Sequence, residues 1–494
     1  MRLMTRGRRR GAGMALVLTI VVWAVVSASG TALANVPVKV VSIDPYTNTS
    51  SFHKTEVEPD TFSFGNTIVG VHQTGRFTDG GSSNVGYITS TNGGATWTSG
   101  FLPGTTVFAN PPGPWDRGTD PSIAYDPKHD VWMANILAMT GTVGKAILVS
   151  RSTNGGVTFQ NPVTVASTSN TFFDKNWITC DTTATSPFYG NCYVEWDDNG
   201  TGNTFKMSRS TDGGLTWSSS SVPNVSVIGG QPVVQPGGTV IVPIDNGFEG
   251  SVQSFISTNG GVSYTGPFTV SNISTHGVQG SLRTSPLPSA EIDGAGKVYV
   301  VWQDCRFRSG CAENDIVMST STDGITWTAV VRIPIDATNS TVDHFIPGIA
   351  VDKGTQGNSA HLGLSYYFYP VANCGSTTCR LTVGYVQSSD GGSTWTAPVQ
   401  IQGPMKNTWL PNTNQGYMVG DYMSTSFLNG RAYPMVIIAK VGTCQLGQIT
   451  TCREVSSIPT GGLAPASGTI PVGHDRVLYT GPSQTPTNVL ATAN

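Results

Sequence analysis

Charged side chains make up only 12% of this 494-residue chain, so the places where they gather are conspicuous. Asp116, Arg117 and Asp120, then Asp174 and Lys175, Arg283, Asp343 and His344, and Asp421 and Tyr422 stand just ahead of β-type runs, together with Glu56, Glu58 and Gln231. A second group falls between later runs: Arg76, Asp79, Asp197, Asp198, Asp304, Arg306 and Arg308. Proton-exchanging side chains beside cations are what a polar ligand pocket needs. Each residue alone has a plainer use, such as facing water or pairing with its chain neighbour, Asp174 with Lys175 and Asp116 with Arg117.

A pocket forms only if these places meet, and the repeat pattern supplies the means. An eight-residue unit occurs at 90–97 (STNGGATW), 152–159 (STNGGVTF), 210–217 (STDGGLTW), 257–264 (STNGGVSY) and 388–395 (SSDGGSTW), with a shorter copy at 321–327 (STDGITW). Repetition at intervals of about 50–70 residues marks an array of like units. In each copy the Asp or Asn (Asn92, Asn154, Asp212, Asn259, Asp323, Asp390) can bond nearby backbone N–H groups, and glycine supplies the positive φ. The closing aromatic (Trp97, Phe159, Trp217, Tyr264, Trp327, Trp395) then pins the turn to an apolar surface. Every copy follows a β-type run, so each is a hairpin turn. Six equivalent copies do not make one active site; they are fasteners.

Between turns the same order of runs returns, for example 121–125, 131–139 and 146–151, with a further run after the turn. Four antiparallel strands per repeat, radially arrayed, make a β-propeller blade. The expected fold is all-β, a propeller spanning 35–458. Residues 420–427 and 431–439 read as a further blade without a turn unit, completed by an outer strand from 36–43. Seven blades closed by that N-terminal strand are expected, with six and a trailing extension as the alternative. If the turn units join third to fourth strands, the polar residues lie on the opposite face.

The pattern Ser-x-Asp-x-Gly-x-Thr-Trp resembles the Asp box, or bacterial neuraminidase repeat, of sialidases and related β-propeller proteins. The resemblance extends over nearly all of the chain beyond its N-terminal segment. It implies a glycan or glycoconjugate partner and exo-glycoside hydrolysis, with a non-catalytic carbohydrate- or protein-binding propeller as the alternative. Retaining sialidases use a Tyr nucleophile, an acid, and arginines whose forks match a carboxylate. On this chain the resemblance implies Tyr422 with Asp421 beside it, Asp120 or Asp174 as acid, and Arg76, Arg117, Arg283 and Arg306 as the clamp, with Lys175 and His344 as further contacts. The Arg-Ile-Pro tripeptide that such enzymes carry near the first blade occurs here only as Arg332-Ile333-Pro334, after the fifth box.

Residues 1–34, with a basic head, an apolar middle at 14–28 and Ala32-Leu33-Ala34, read as a secretory signal peptide, a retained anchor being the alternative. It holds five of the 27 basic residues, leaving 22 against 30 acidic ones. No basic stripe suits nucleic acid and no later run suits a membrane span. The cysteines form close pairs, Cys180 with Cys192, Cys305 with Cys311, Cys374 with Cys379 and Cys444 with Cys452, which point to disulfides in a secreted chain. No cofactor is expected; the acidic turn Asp197-Asp198-Asn199-Gly200 raises calcium but lacks the alternating spacing of a calcium loop. A monomer is expected, and 459–494 read as a tail.

Overall fold

Strands of alternating faces need a partner on each side, and this chain meets that need by stacking one meander against the next. The computed structural model describes residues 35–472; the expected signal peptide and the end of the tail lie outside them. Described residues fall within one unit, Leu33–Gly481. They form antiparallel sheets with a few short 3₁₀ turns, and no described helix is long and apolar enough to cross a membrane.

The first meander runs Glu56–Phe64, Thr67–Arg76, Ser82–Ser90 and Thr98–Phe101. The second, Arg117–Asp126 through Val163–Ser167, is joined to it by the single pair Ser82 and Gly118. The third comprises Phe173–Cys180, Cys192–Asp198, Thr204–Ser210 and Ser218–Ser219. In the fourth, the first strand is broken into Val227–Ile228 and Val233–Val234, both paired to Val240–Asn246. The fifth and sixth begin at Ser289–Ile292 and Asp343–Val351. The last sheet holds Ser424–Leu428, Arg431–Ala439 and Glu454–Pro459, and Val38–Val40 from the N-terminus pairs along its outer edge.

Each hydrophobic cluster is shared by consecutive meanders. Val69, Val71 and Val85 of the first meet Ile123, Trp132 and Ala134 of the second. Ile68 and Ile88 of the first also meet Tyr433, Met435 and Ile458 of the last. The first strands of all these meanders line one cavity of about 500 Å³. Burying apolar area on both faces is what holds successive sheets together, at about 25 cal/mol per Å² removed from water.

The turn units fold as the side-chain chemistry requires. Ser210 Oγ accepts the Gly214 N–H at 2.9 Å, while Asp212 Oδ1 accepts those of Leu215 and Thr216 at 3.1 and 3.0 Å. Gly213 and Gly214 have φ of 70° and 79°. The same serine-to-glycine bond recurs at Ser90, Ser152, Ser257 and Ser388. The short copy closes one residue earlier, Ser321 Oγ accepting from Gly324. Phe159, Tyr264 and Trp395 are buried, and Trp97, Trp217 and Trp327 pack against clusters while half-exposed. The tail strand Ile470–Pro471 pairs with Thr394–Trp395, so residues 459–472 return to the last turn unit.

All four expected cysteine pairs are disulfides, and each closes a connection within one meander. Cys180 bonds Cys192 across 12 residues, joining the ends of the first two strands of the third meander. The other three close loops between second and third strands. Cys305 bonds Cys311 in the fifth meander, between Val298–Asp304 and Asp315–Ser321. Cys374 bonds Cys379 in the sixth, between Leu362–Tyr369 and Leu381–Ser388. Cys444 bonds Cys452 in the last, between Arg431–Ala439 and Glu454–Pro459. Cys379 and Cys452 are buried, and the Cys452 N–H donates to His53 O at 3.0 Å, fastening that loop to the approach of the first meander. Cys311 is half-buried and left-handed, with φ of 55°, at the end of the short turn Ser309–Cys311. No described cysteine is free.

Burial alone would raise the Asp212 pKa, but bonds from Thr216, Ser210 and Leu215 outweigh it and hold the carboxyl below its ordinary value. Replacing Asp212 with Ala should cost about 1 kcal/mol at neutral pH. A depressed carboxyl stabilises above its unfolded pKa, so in thermal melts the deficit should shrink as pH falls below the ordinary 3.8.

Candidate functional site

A β-bulge recurs at one place in the first strands. Pairing slips between Val57 and Asp60, Thr119 and Ser122, Asp174 and Trp177, and Phe345 and Gly348. Within each slip one residue is left-handed: Glu58 (φ 55°), Asp120 (47°), Lys175 (47°) and Ile346 (49°). Such a backbone costs roughly 1 kcal/mol or more for a residue with a side chain, and bulges serve to re-aim one. Three of the four precede proline, at Pro59, Pro121 and Pro347.

Glu58, Asp120 and Lys175 are aimed into one polar group, whereas Ile346 is buried in an apolar cluster. Lys175 Nζ lies 3.3 Å from Asp120 Oδ1 and also bonds Asp421 Oδ2. Arg283 clasps the same Asp421 with two nitrogens, Nε to Oδ1 at 2.7 Å and Nη2 to Oδ2. Glu58 accepts from Gln73 Nε2, which also donates to Thr119 Oγ1 at 2.8 Å. Arg76 Nη1 donates to Gln73 Oε1 at 2.8 Å. The Glu58 N–H bonds Val419 O at 3.2 Å, tying the start of the first meander to the approach of the last.

Burial and mutual charge set the protonation of this group. Glu58 is pushed up to about 7 by burial and then by Asp120, against the pull of Lys175. Asp174 is pushed up to about 6 by burial and Asp120. Burial would raise Asp421 too, but Arg283 and Lys175 hold it well below the carboxylate range. Arg76 is lowered by burial and by Arg283. The cluster thus contains one carboxylate locked as an anion and two that exchange protons near neutrality.

Tyr422 is differently placed. Its hydroxyl donates to Pro121 O at 2.9 Å, its ring meets Trp177 edge-on at 5.1 Å, and burial, then Glu58, raises its pKa well above the ordinary value. The hole beside it, lined by Asp120, Lys175, Gly230 and Leu287, is about 20 Å³, room for a water at most.

Asp120, Asp174, Lys175, Asp421, Arg76 and Arg283 therefore come together, with Tyr422 against the wall. Arg117, Arg306 and His344 do not join them. Arg117 bonds Asp79 at 2.6 Å and lies over the Phe77 ring, and Arg306 clasps Asp304. His344 is buried against Tyr366 and Phe368, its pKa lowered by burial. The neighbour pairings expected from sequence also differ. Lys175 reaches past Asp174 to Asp120 and Asp421, while Asp116 accepts from the Gly141 N–H. Gln73 escapes the sequence reading, although a glutamine inside the apolar run of Thr67–Arg76 is a signal. So are the dipeptides Glu58-Pro59, Asp120-Pro121, Gln231-Pro232, Leu287-Pro288 and Ile346-Pro347, each at the start of a first strand.

Asp315, Asp336 and His344 bring ligand atoms within 4.8 Å of one another. Arg308 already bonds both carboxylates, at 2.6 and 2.7 Å, and Arg332 bonds Asp336 as well. Two guanidiniums fill the place a metal would take, and this is where the Arg332-Ile333-Pro334 arginine is used.

Neither a family model nor a curated protein matches the chain. Among solved structures, an ulvan lyase of polysaccharide lyase family PL25 aligns at 11% identity and TM-score 0.49, over 84% of this chain and 96% of that one. A Trypanosoma rangeli sialidase in complex with sialic acid aligns at 11% and 0.45, over 85% of this chain but 57% of its own length. A protein of unknown function from Dyadobacter fermentans aligns at 16% and 0.45, over 71% and 98%. At this level the likenesses do not say what this chain acts on.

A buried acid with a raised pKa stabilises the fold fully below its unfolded value and loses that contribution as pH climbs through the folded one. For Glu58 the window runs from the ordinary 4.5 to about 7. The melting temperature of the wild-type chain should fall across it, and Glu58→Gln should flatten the profile and melt higher at pH 8.

Proposed function

We propose that this chain is a secreted seven-bladed propeller of the Asp-box type that acts on glycans, by exo-glycoside hydrolysis at the mouth formed by Glu58, Asp120, Asp174, Lys175, Arg283 and Asp421. The reading is supported above all by one observation: left-handed bulges in separate meanders bring Glu58, Asp120 and Lys175 into one buried polar group, in which Lys175 pairs with Asp120 and Asp421. The ring of shared hydrophobic clusters supports the propeller, and the four disulfides support an extracytoplasmic location.

Glycoside hydrolysis usually takes two carboxyl groups whose surroundings divide them into acid and base. Near pH 7 Asp174, pushed up to about 6, is largely ionised, whereas Glu58, pushed up to about 7, keeps a large share of its proton. Glu58 is therefore assigned as general acid and Asp174 as general base. Lys175, Arg283 and Arg76 orient polar groups of the sugar, and Asp421 orients Lys175 and Arg283. Tyr422 is assigned to the wall and not to attack on the sugar, because its hydroxyl is engaged by Pro121.

A glycan- or protein-binding propeller without turnover is the second reading. It is favoured by closure of the mouth, where Glu58, Arg76, Asp120 and Asp421 are each 5% exposed or less.

The test is hydrolysis of a panel of fluorogenic exo-glycosides, sialosides among them, by the purified secreted chain. Turnover on at least one is expected, with kcat at least 100-fold lower for Glu58→Gln or Asp174→Asn and within a few fold of wild type for Tyr422→Phe. Loss of turnover in Tyr422→Phe with folding intact would restore the Tyr-nucleophile mechanism. No turnover on any substrate, with retention on a glycan array, would establish the binding module.

A further inference from the structure

The cavity lined by the first strands takes no part in the mouth. It reaches solvent at the opposite end, among the hairpin turns at Gly65, Gly294 and Asn429, all exposed. Its inner end is bounded by Trp177 and Gln231, which also line the small hole beside Lys175 and Tyr422. At about 500 Å³ it falls in the range of preformed ligand pockets, whereas the hole at the mouth holds a water at most.

Its wall mixes ring faces with a few polar groups. Phe62 and Trp177 are only half-buried although both stand on first strands. Lys353 Nζ lies over the Phe62 ring, 4.4 Å from its centroid. Glu291 is half-buried too, and its Oε2 accepts from the adjacent Ile292 N–H at a long 3.3 Å. Asp60 is anchored, its Oδ2 accepting the Ile123 N–H at 2.8 Å. Gln231 Oε1 accepts the Ala290 N–H at 3.0 Å, which leaves its amide nitrogen as a donor. Burial pushes Asp60 up to about 7 and raises Glu291, the latter against the pull of Lys353. A protonated carboxyl donates as well as accepts.

The charges decide what fits. An organic cation needs a ring face beside a carboxyl, and Lys353 already takes that place, over Phe62 and in the field of Glu291. An anion would face Asp60 and Glu291. A neutral molecule rich in hydroxyls meets neither obstacle: it gives and takes hydrogen bonds at Glu291, Asp60 and Gln231, and its C–H face rests on an aromatic ring.

We propose that the central cavity is a second binding site, for a neutral mono- or disaccharide, entered from the face that carries the turn units. Glu291 and Gln231 take the hydroxyls, and Trp177 takes the apolar face of the sugar. The site stands apart from hydrolysis at the mouth, because it lies at the other end of the first strands and requires no turnover.

The experiment is calorimetric titration and ligand-observed NMR of the purified secreted chain with glucose, galactose, N-acetylglucosamine and lactose, with glucosamine and glucuronate as charged counterparts of glucose. Saturable binding of at least one neutral sugar is expected, weakened about tenfold or more in Glu291→Ala and unchanged in Glu58→Gln. Thr179, half-buried in the cavity wall, gives a blocking variant: the indole of Thr179→Trp should abolish binding. If that variant does not fold, Glu291→Ala decides. Absence of binding by every neutral sugar at about 50 mM would overturn the proposal, as would binding undiminished in Glu291→Ala, or tighter binding of glucosamine or glucuronate than of glucose. Binding lost in Glu58→Gln but kept in Glu291→Ala would put the sugar at the mouth, which overturns the cavity site and leaves the proposed function standing.

Discussion

One buried carboxylate holds the mouth of this molecule together. Asp421 precedes the last meander, Arg283 precedes the fifth and Lys175 opens the third, and the two cations share its oxygens. An ionised carboxylate in such a place is tolerated only with charged partners of good geometry. Here the bidentate guanidinium supplies geometry and the ammonium a second charge. The group is poised: burial and Asp120 push Glu58 and Asp174 up, and Lys175, held by Asp421, opposes that rise.

The rest of the fold exists, in physical terms, to bring those places into register. Alternating strands present two apolar faces, and each face finds the next meander, until Tyr433 and Met435 pack back onto Ile68 and Ile88. The turn units act at the far end of the third strands, where serine, Asx and glycine satisfy the backbone locally and an aromatic seals it. Bulges act at the near end, trading strand pairing for side-chain direction. The two devices divide the work, one securing the sheets and the other aiming the charges.

What was legible in the sequence follows from that division. The turn units and the cysteine pairs are encoded by residues close together, and the structure has them where they were read; the edge strand expected over 36–43 is present in shorter form, as Val38–Val40. Cys305 and Cys311, Cys374 and Cys379, and Cys444 and Cys452 stand within one hairpin loop each, so proximity in sequence already implies proximity in space. The meeting of charges is a different matter. Lys175 and Asp421 are 246 residues apart, and nothing local in Asp174-Lys175 distinguishes a lysine that pairs with its neighbour from one that reaches across. Arg306 looks equivalent to Arg283 in sequence, yet an aspartate two residues away satisfies it. The buried phenol of Tyr422 is hidden for the same reason, since its partner is a carbonyl 301 residues distant. The proline that follows Glu58, Asp120 and Ile346 is the local trace of the bulges.

If one buried carboxylate organises this region, Asp421 and Arg283 are energetically coupled. A double-mutant cycle with Arg283→Met and Asp421→Asn, read by denaturant unfolding of the secreted chain, measures this directly. A coupling energy of about 1–3 kcal/mol is expected for charges in such contact. Additivity within about 0.5 kcal/mol would mean that the two side chains do not meet and that the mouth described here is not formed.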